Sequence, residues 1–263
     1  MNEQAKMTRQ LHADCLNNNL LRALRPDDFQ LLEPLLTEWE GERGATLYDP
    51  GDHVGHVYFP CGPSLISYLV VLEDGRAIET ALIGREGAIG GIVSQGRLPA
   101  YARAEVQFPG HFLRISSADL EAAKLKSISL RFLFARYADC LMANIFQTVA
   151  CNAAHSIEQR TAKWLLAAMD RTGDHVIPLT QEQLSAMMGV GRSYVSRIIQ
   201  SLKARGVLAT RRGSIVVADF PGLQEMQCGC NAAVRRHFDD VLSGVYPSEE
   251  ESTAQRQDIV AKS

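Results

Sequence analysis

The segment from Pro178 to Phe220 constrains the fold most, because it combines a helix cap, a glycine turn, an amphipathic helix and a short hairpin. Thr180 and Gln183 predict a capping box, in which each side chain binds the other residue's backbone N–H at a helix start. Gly189 predicts the end of that helix, since glycine readily adopts the left-handed conformation. A second helix is predicted from about Gly191 to Arg205. Its apolar face consists of Val195, Ile198, Ile199 and Leu202.

Two helices joined by a tight glycine turn predict a helix-turn-helix. In this motif the N-terminal residues of the second helix contact base edges in the major groove of DNA. Arg192 and Arg197 suit that role, because a guanidinium group can donate two hydrogen bonds to one guanine. The candidate DNA-binding residues of the two helices are Thr180, Gln181, Gly191, Arg192, Ser193, Tyr194, Ser196 and Arg197.

A basic hairpin is predicted directly after the second helix, with Arg211 and Arg212 at its tip, and these two residues are candidate phosphate contacts. Between residues 176 and 220 the sequence has six Lys or Arg and two Asp or Glu, a local charge of +4, whereas the whole chain carries −3. A solvated surface would explain any single arginine. The ordered combination favours a DNA-binding winged helix.

Residues 44–115 predict a β-barrel or jelly roll, because short β-rich runs alternate with turn residues. Asp74-Gly75 is the strongest hairpin signal, since a tight turn there needs a positive φ. The chain before this region is patterned as helix from Asn19 to Trp39, interrupted by Pro26 and Pro34. The predicted strands are Val54–Phe59, Leu65–Leu72, Ala77–Ile83, Ala102–Phe108 and His111–Ile115.

One long helix is predicted from Ser116 to Ala150, where the sequence has neither proline nor glycine, with Ser116 as its cap. A second helix is predicted over about Ser156 to Arg171. A coiled-coil-like stripe along the first helix predicts a dimer seam; the alternative is packing against the chain's own barrel. The stripe continues to Cys151, and its candidate dimerisation residues are Phe134, Tyr137, Leu141, Asn144 and Thr148.

A barrel, a long helix and a winged helix, in that order, resemble the bacterial Crp–Fnr transcription regulators over about residues 20–220. The specific motifs are Leu179–Val217 and the barrel segments His56–Pro60 and Gly84–Gly87. The resemblance implies an α+β chain with a double-stranded β-helix (jelly-roll) sensor, related to cyclic-nucleotide-binding domains, over residues 19–118. A dimerisation helix would span residues 119–153 and a winged helix-turn-helix residues 154–223.

The same resemblance implies a homodimer that reads a palindromic operator with half-sites one helical turn apart, and RNA polymerase as a further partner. Ser193 stands where many members have glutamate. The operator sequence therefore stays open, as do the target genes and the choice between activation and repression.

The family's cyclic-nucleotide pocket uses a Gly-Glu pair and an Arg-Ser/Thr pair, which this sequence does not reproduce. Gly91 replaces the acid, and Leu98 and Pro99 stand at the second pair. Because a buried phosphate needs donors and a compensating charge, cAMP binding is not expected, and the effector stays unknown. The candidate ligand-pocket residues are Gly90, Gly91, Arg97 and Arg103.

The spacing of the six cysteines does not indicate a disulfide framework and lacks the N-terminal pattern of an oxygen-sensing iron–sulfur cluster. Cys228 and Cys230 form the only close pair, and two ligands alone do not predict a metal site. His53 and His56 raise the alternative of a metal- or small-ligand-binding, cupin-like barrel. However, side chains three apart on a strand point to opposite faces. A winged helix used only for protein contacts is a third possibility.

No nucleophile elbow or Walker-type loop occurs, so the sequence does not indicate an enzyme. The polar segment Met1 to Asp14 lacks the apolar core of a signal peptide, and no apolar run has membrane-spanning length. A cytoplasmic protein is therefore expected. The polar residues 248–263 are expected to be disordered.

Overall fold

The computed structural model describes residues 17–90 and 99–246. Short helices come first: α1 (Asn19–Arg22), α2 (Pro26–Leu32) and a 3-10 turn (Glu33–Leu35). The predicted helical region therefore ends earlier than expected, because Trp39 lies in a strand. The ring of Trp39 packs against Tyr58 and Phe112, and these contacts outweigh the local helical pattern.

Two antiparallel sheets form the N-terminal part. Their strands are β1 (Thr37–Gly41), β2 (Thr46–Tyr48), β3 (His56–Pro60), β4 (Leu65–Val71), β5 (Ala77–Ile83), β6 (Arg103–Phe108) and β7 (Gly110–Ser116). One sheet has the strand order β1-β7-β3 and the other the order β2-β6-β4-β5. The predicted hairpin is confirmed, since β4 pairs with β5 and Gly75 has a φ of +82°.

The prediction of a single long helix from Ser116 is wrong, because the helix is interrupted at Ser127. Helix α3 (Ser117–Lys126) ends there and α4 (Ile128–Ala154) begins. Ser127 has an extended backbone, its hydroxyl oxygen accepts from the N–H of Leu130, and its hydroxyl donates to the carboxylate of Asp28. A serine that caps a new helix replaces the backbone bonds lost at the break. The cap at Ser116 is confirmed.

Helix α4 lies against the barrel through one buried face. The hydroxyl of Tyr137 donates to the carbonyl oxygen of Ala88 at 2.8 Å and accepts from the N–H of the same residue at 2.9 Å. Phe134 packs edge-on against Phe59 of β3. The long helix and the barrel therefore share one core.

The C-terminal part begins with α5 (Ile157–Thr172), which starts at a Ser156 capping box. Strands β8 (Val176–Ile177), β9 (Leu208–Arg211) and β10 (Ser214–Val217) form a small sheet in the order β8-β10-β9. Helices α6 (Gln181–Met188) and α7 (Arg192–Ala204) form its helical layer.

Two further helices, α8 (Phe220–Met226) and α9 (Cys230–Val241), follow the winged helix and were not predicted from the sequence. Helix α9 packs along α4, and Phe238 contacts the ring of Tyr137. In the described parts of the chain, no helix is long and apolar enough to cross a membrane. The predicted tail at residues 248–263 lies outside the described residues.

Candidate nucleic-acid interface

The helix-turn-helix forms where the sequence predicts it. The Oγ1 of Thr180 accepts from the N–H of Gln183 at 3.2 Å, and the N–H of Thr180 donates to the Oε1 of Gln183 at 2.9 Å. Gly189 ends α6 with a φ of +66°. The capping box and the glycine turn are therefore confirmed, and they set where α6 begins and ends.

Helix α7 is two-faced, as predicted. Its buried residues are Val195, Ile198, Ile199 and Leu202. The N-terminal end is open to solvent, and Gly191, Arg192, Ser193 and Tyr194 are all exposed. Arg192 is 73% exposed, and its Nη1 lies 3.8 Å from the Oε2 of Glu182, which is equally exposed. Such a pair contributes little to stability, so the guanidinium group remains available to another partner.

Two contacts organise the exposed face of α7. The guanidinium carbon of Arg197 lies 5.1 Å from the ring centroid of Tyr194, which is a cation–π contact. The hydroxyl of Ser196 donates to the Oε1 of Gln181 at 3.0 Å and ties α7 to the start of α6. Arg197 is therefore held on an aromatic support at the surface.

The hairpin between β9 and β10 places its basic tip at the surface. Arg211 and Arg212 are exposed, and Gly213 makes the turn with a φ of +73°. The Nζ of Lys203 donates to the Oγ1 of Thr210 at 3.1 Å and connects α7 to this wing. The structure thus gathers the predicted residues of the helices and the wing into one winged helix, with exposed basic groups on both.

The structure corrects three of the five residues of the predicted dimer seam. Phe134, Tyr137 and Leu141 are at most 4% exposed and lie in the core of their own chain. Asn144 and Thr148 border a cleft between α4, β5 and α5. The first three side chains pack within their own chain, which is the alternative that the sequence left open, and a role of Asn144 and Thr148 in a dimer stays a prediction.

A different stripe of α4 is open to solvent, and we call it the exposed stripe. Phe146 is 65% exposed and Val149 is 63% exposed. Its members repeat at steps of three and four residues, like the predicted seam. They are Phe132, Ala135, Asp139, Met142, Phe146 and Val149. The sequence carries two such stripes, and only the fold shows which of them the barrel covers.

The predicted ligand-pocket residues are only partly described, because Gly91 and Arg97 lie outside the described residues. The Nε of Arg103 donates to the Oδ1 of Asp49 at 2.6 Å, and both groups are partly exposed. Gly90 has a φ of +128° and lies against the backbone of His56. Neither Gly90 nor Arg103 lines the cleft beside α4.

Tyrosines occupy the barrel interior near Gly90. The hydroxyls of Tyr48 and Tyr68 lie 3.2 Å apart, and the N–H of Gly90 donates to the Tyr68 hydroxyl at 3.4 Å. Burial raises the pKa of Tyr68, so this phenol stays neutral at physiological pH. His53 and His56 are exposed, so the cupin-like alternative gains no support from the barrel interior.

Comparison with known proteins gives a consistent assignment. Residues 159–226 match the family model of the Crp-like helix-turn-helix domain. FixK2 from Bradyrhizobium japonicum is 20% identical, with a TM-score of 0.59 over 73% of this chain and 98% of that one. A Crp-family transcriptional regulator from Thermus thermophilus is 19% identical, with a TM-score of 0.60 over 72% and 95%.

The c-di-GMP-responsive global regulator CLP from Xanthomonas campestris is 14% identical, with a TM-score of 0.58 over 74% of this chain and all of that one. No curated protein matches the sequence significantly. At these identities the structural matches show the fold, while the family model locates the helix-turn-helix. The chain therefore carries a Crp-like helix-turn-helix domain over residues 159–226, and its fold is similar to that of Crp/Fnr regulators.

Proposed function

We propose that the protein is a DNA-binding transcription regulator that acts as a homodimer and binds a palindromic operator, with one α7 helix in the major groove of each half-site. The observation that carries this proposal is the exposed N-terminal end of α7, where Arg192 and Arg197 stand beside Tyr194. Arginine there can form two hydrogen bonds with guanine. Arg211 and Arg212 of the wing then contact phosphates and set overall affinity.

The exposed stripe supports the homodimer. Large apolar side chains repeated at steps of three and four residues on a solvent-facing helix are typical of a coiled-coil contact. Asp139 is the charged member of the stripe, and its Oδ2 already pairs with the Nε2 of His237 at 2.8 Å. Two α4 helices packed along this stripe would relate the winged helices by twofold symmetry. Half-sites would then lie about 34 Å apart, one turn of DNA.

The barrel supports a regulator that does not respond to cAMP. A cyclic phosphate needs buried donors with a compensating charge. The described interior offers the paired phenols of Tyr48 and Tyr68, and Arg103 is held at the barrel edge by Asp49. RNA polymerase is proposed as a further partner on the resemblance alone.

Selection of bound sequences from a random duplex pool tests this function. Purified protein at near-physiological salt should enrich a palindrome whose half-sites are one turn apart. Arg197→Ala should lose the enriched motif, because it removes a direct base contact. Arg25→Ala serves as the matched control, because Arg25 is an exposed arginine before α2, outside the winged helix. An enriched motif that survives Arg197→Ala would contradict the assigned recognition residue.

A further inference from the structure

Three cysteines and one histidine meet at the end of the long helix. Cys151 lies in the last turn of α4, and His155 is the residue that caps this helix. Cys228 and Cys230 flank Gly229, where α9 begins. The four side chains each present one ligand atom, and all four atoms lie within 4.8 Å of one another.

Two of the separations match those of ligands around a single tetrahedral ion. The Sγ atoms of Cys151 and Cys228 are 3.6 Å apart, and the Sγ of Cys230 is 3.6 Å from the Nδ1 of His155. Zinc binds sulfur at about 2.3 Å and nitrogen at about 2.0–2.1 Å. Tetrahedral angles therefore place two sulfurs about 3.8 Å apart and sulfur and nitrogen about 3.6 Å apart.

Ordinary packing does not account for this cluster. Cys151, Cys228 and Cys230 are buried and form a cluster of their own. By contrast, Cys61 and Cys140 are buried within a large core of aliphatic and aromatic side chains. A buried cysteine behaves as a small hydrophobic residue among such neighbours. Three thiols that meet one another and an imidazole have the composition of a ligand set instead.

The surroundings favour a cation held by thiolates. The Nε2 of Gln147 donates to the Sγ of Cys230 at 3.2 Å, and a donor of this kind orients a metal-bound sulfur. The C-terminal end of α4, with its partial negative charge, faces the cluster and favours a cation.

We propose that Cys151, His155, Cys228 and Cys230 bind one zinc ion. A Cys3His set is a recognised structural zinc site, and thiolates with one imidazole suit zinc well. An iron–sulfur cluster spreads its thiolates over several iron atoms, whereas these four ligand atoms all lie within 4.8 Å of one another. The ion would fasten the start of α9 to the end of α4. Ser156, the next residue after His155, caps the first helix of the DNA-binding part.

Metal content of the purified full-length protein tests this site. Purification without chelators under reducing conditions should give one zinc per chain by elemental analysis. Cobalt(II) added after zinc removal should produce the strong visible absorption of a tetrahedral thiolate site, also at one equivalent. Cys228→Ser and His155→Gln should each weaken zinc binding by about tenfold or more. Cys140→Ser is the matched control, a buried cysteine on the same helix outside the cluster, and should retain one ion.

The wild-type titration keeps the test decisive even if a variant folds poorly, because the cobalt spectrum needs no substitution. Neither measurement uses DNA, so the outcome is independent of the proposed operator binding. Failure of the wild-type chain to take up zinc or cobalt would overturn the proposal. So would iron with inorganic sulfide in the purified protein, or a Cys151–Cys228 disulfide, detected as a mass lower by two hydrogens that reductant restores.

Discussion

The Nε of Arg171 donates to the Oε1 of Glu86 at 2.7 Å, and both side chains are less than a tenth exposed. Glu86 belongs to the barrel loop after β5, while Arg171 lies in the last turns of α5. Glu86 also accepts from the N–H of Gly84, and the Nη1 of Arg171 donates to the carbonyl oxygen of Ala167. Burial alone lowers the pKa of Arg171, but the attraction of Glu86 raises it above the ordinary value. The guanidinium group therefore stays charged, and its contact with Glu86 joins the barrel to the first helix of the DNA-binding part.

Arg171→Met should destabilise the protein by about 3–5 kcal/mol, because it leaves Glu86 as a buried charge without its partner. Urea unfolding of the variant and the wild type measures this difference. The double variant Glu86→Gln/Arg171→Met should recover much of the loss, since no isolated charge remains. A single variant as stable as the wild type would show that the pair does not join the two parts.

Glu79→Gln should change how stability depends on pH. Burial raises the pKa of Glu79 above its ordinary value of 4.5, although Ser67 and Trp164 donate hydrogen bonds to it. The folded chain thus holds this proton more tightly than the unfolded chain does. The free energy of unfolding that comes from protonated Glu79 is fully present below pH 4.5. It is lost as pH rises through the pKa that Glu79 has in the folded chain.

Urea unfolding of the wild type at about pH 5 and pH 7 should therefore show a decline that Glu79→Gln reduces. The neutral amide can still accept from the Nε1 of Trp164, so the contact between β5 and α5 should survive. An identical pH dependence in both proteins would contradict the assigned role of Glu79.

Phe146→Glu should convert the dimer to monomers, because it places a charge in the middle of the exposed stripe. Light scattering during size exclusion at micromolar concentration measures the mass. Tyr101→Glu is the matched control, since Tyr101 is an exposed aromatic residue of the barrel, 84% exposed, and should leave the dimer intact. A wild-type protein with the mass of one chain would rule out the proposed interface.

Gly189→Ala should cost about 1 kcal/mol or more of stability. Gly189 has a φ of +66°, and an added Cβ would lie 2.8 Å from the Cδ1 of Ile78. Gly191→Ala is the matched control, because its φ is −65° and a Cβ there meets no atom within 4 Å. Thermal unfolding of both variants compares the two sites. Equal melting temperatures would contradict the strain assigned to Gly189.

Local signals explain what the sequence could predict. The capping box at Thr180, the turn at Gly189 and the hairpin at Gly75 each depend on a few neighbouring residues, and all three are confirmed. The break at Ser127 was missed, because its cause includes a hydrogen bond to Asp28, 99 positions away. The pattern of apolar residues along one helix contains no information about a hydrogen-bond partner so far away in the sequence.

Features that depend on the tertiary fold could not be predicted from the sequence. Two stripes on α4 share the same spacing, and only the barrel decides that Phe134 is buried and Phe146 is exposed. Cys151 and Cys228 meet across 77 positions, and the helix that brings Cys230 to them was not predicted. The sequence therefore predicted the elements of the winged helix well, and the exposed face of α4 and the cysteine cluster poorly.

The central claim is sequence-specific DNA recognition by Arg197, and titration of the selected operator tests it most directly. Fluorescence anisotropy at fixed salt should show that Arg197→Ala weakens binding to the operator by about 1–3 kcal/mol but hardly changes binding to a scrambled duplex. Arg211→Ala should weaken binding to both duplexes alike. Arg25→Ala should leave binding to both duplexes unchanged. Equal loss on both duplexes for Arg197→Ala, or no loss on either, would contradict recognition by α7.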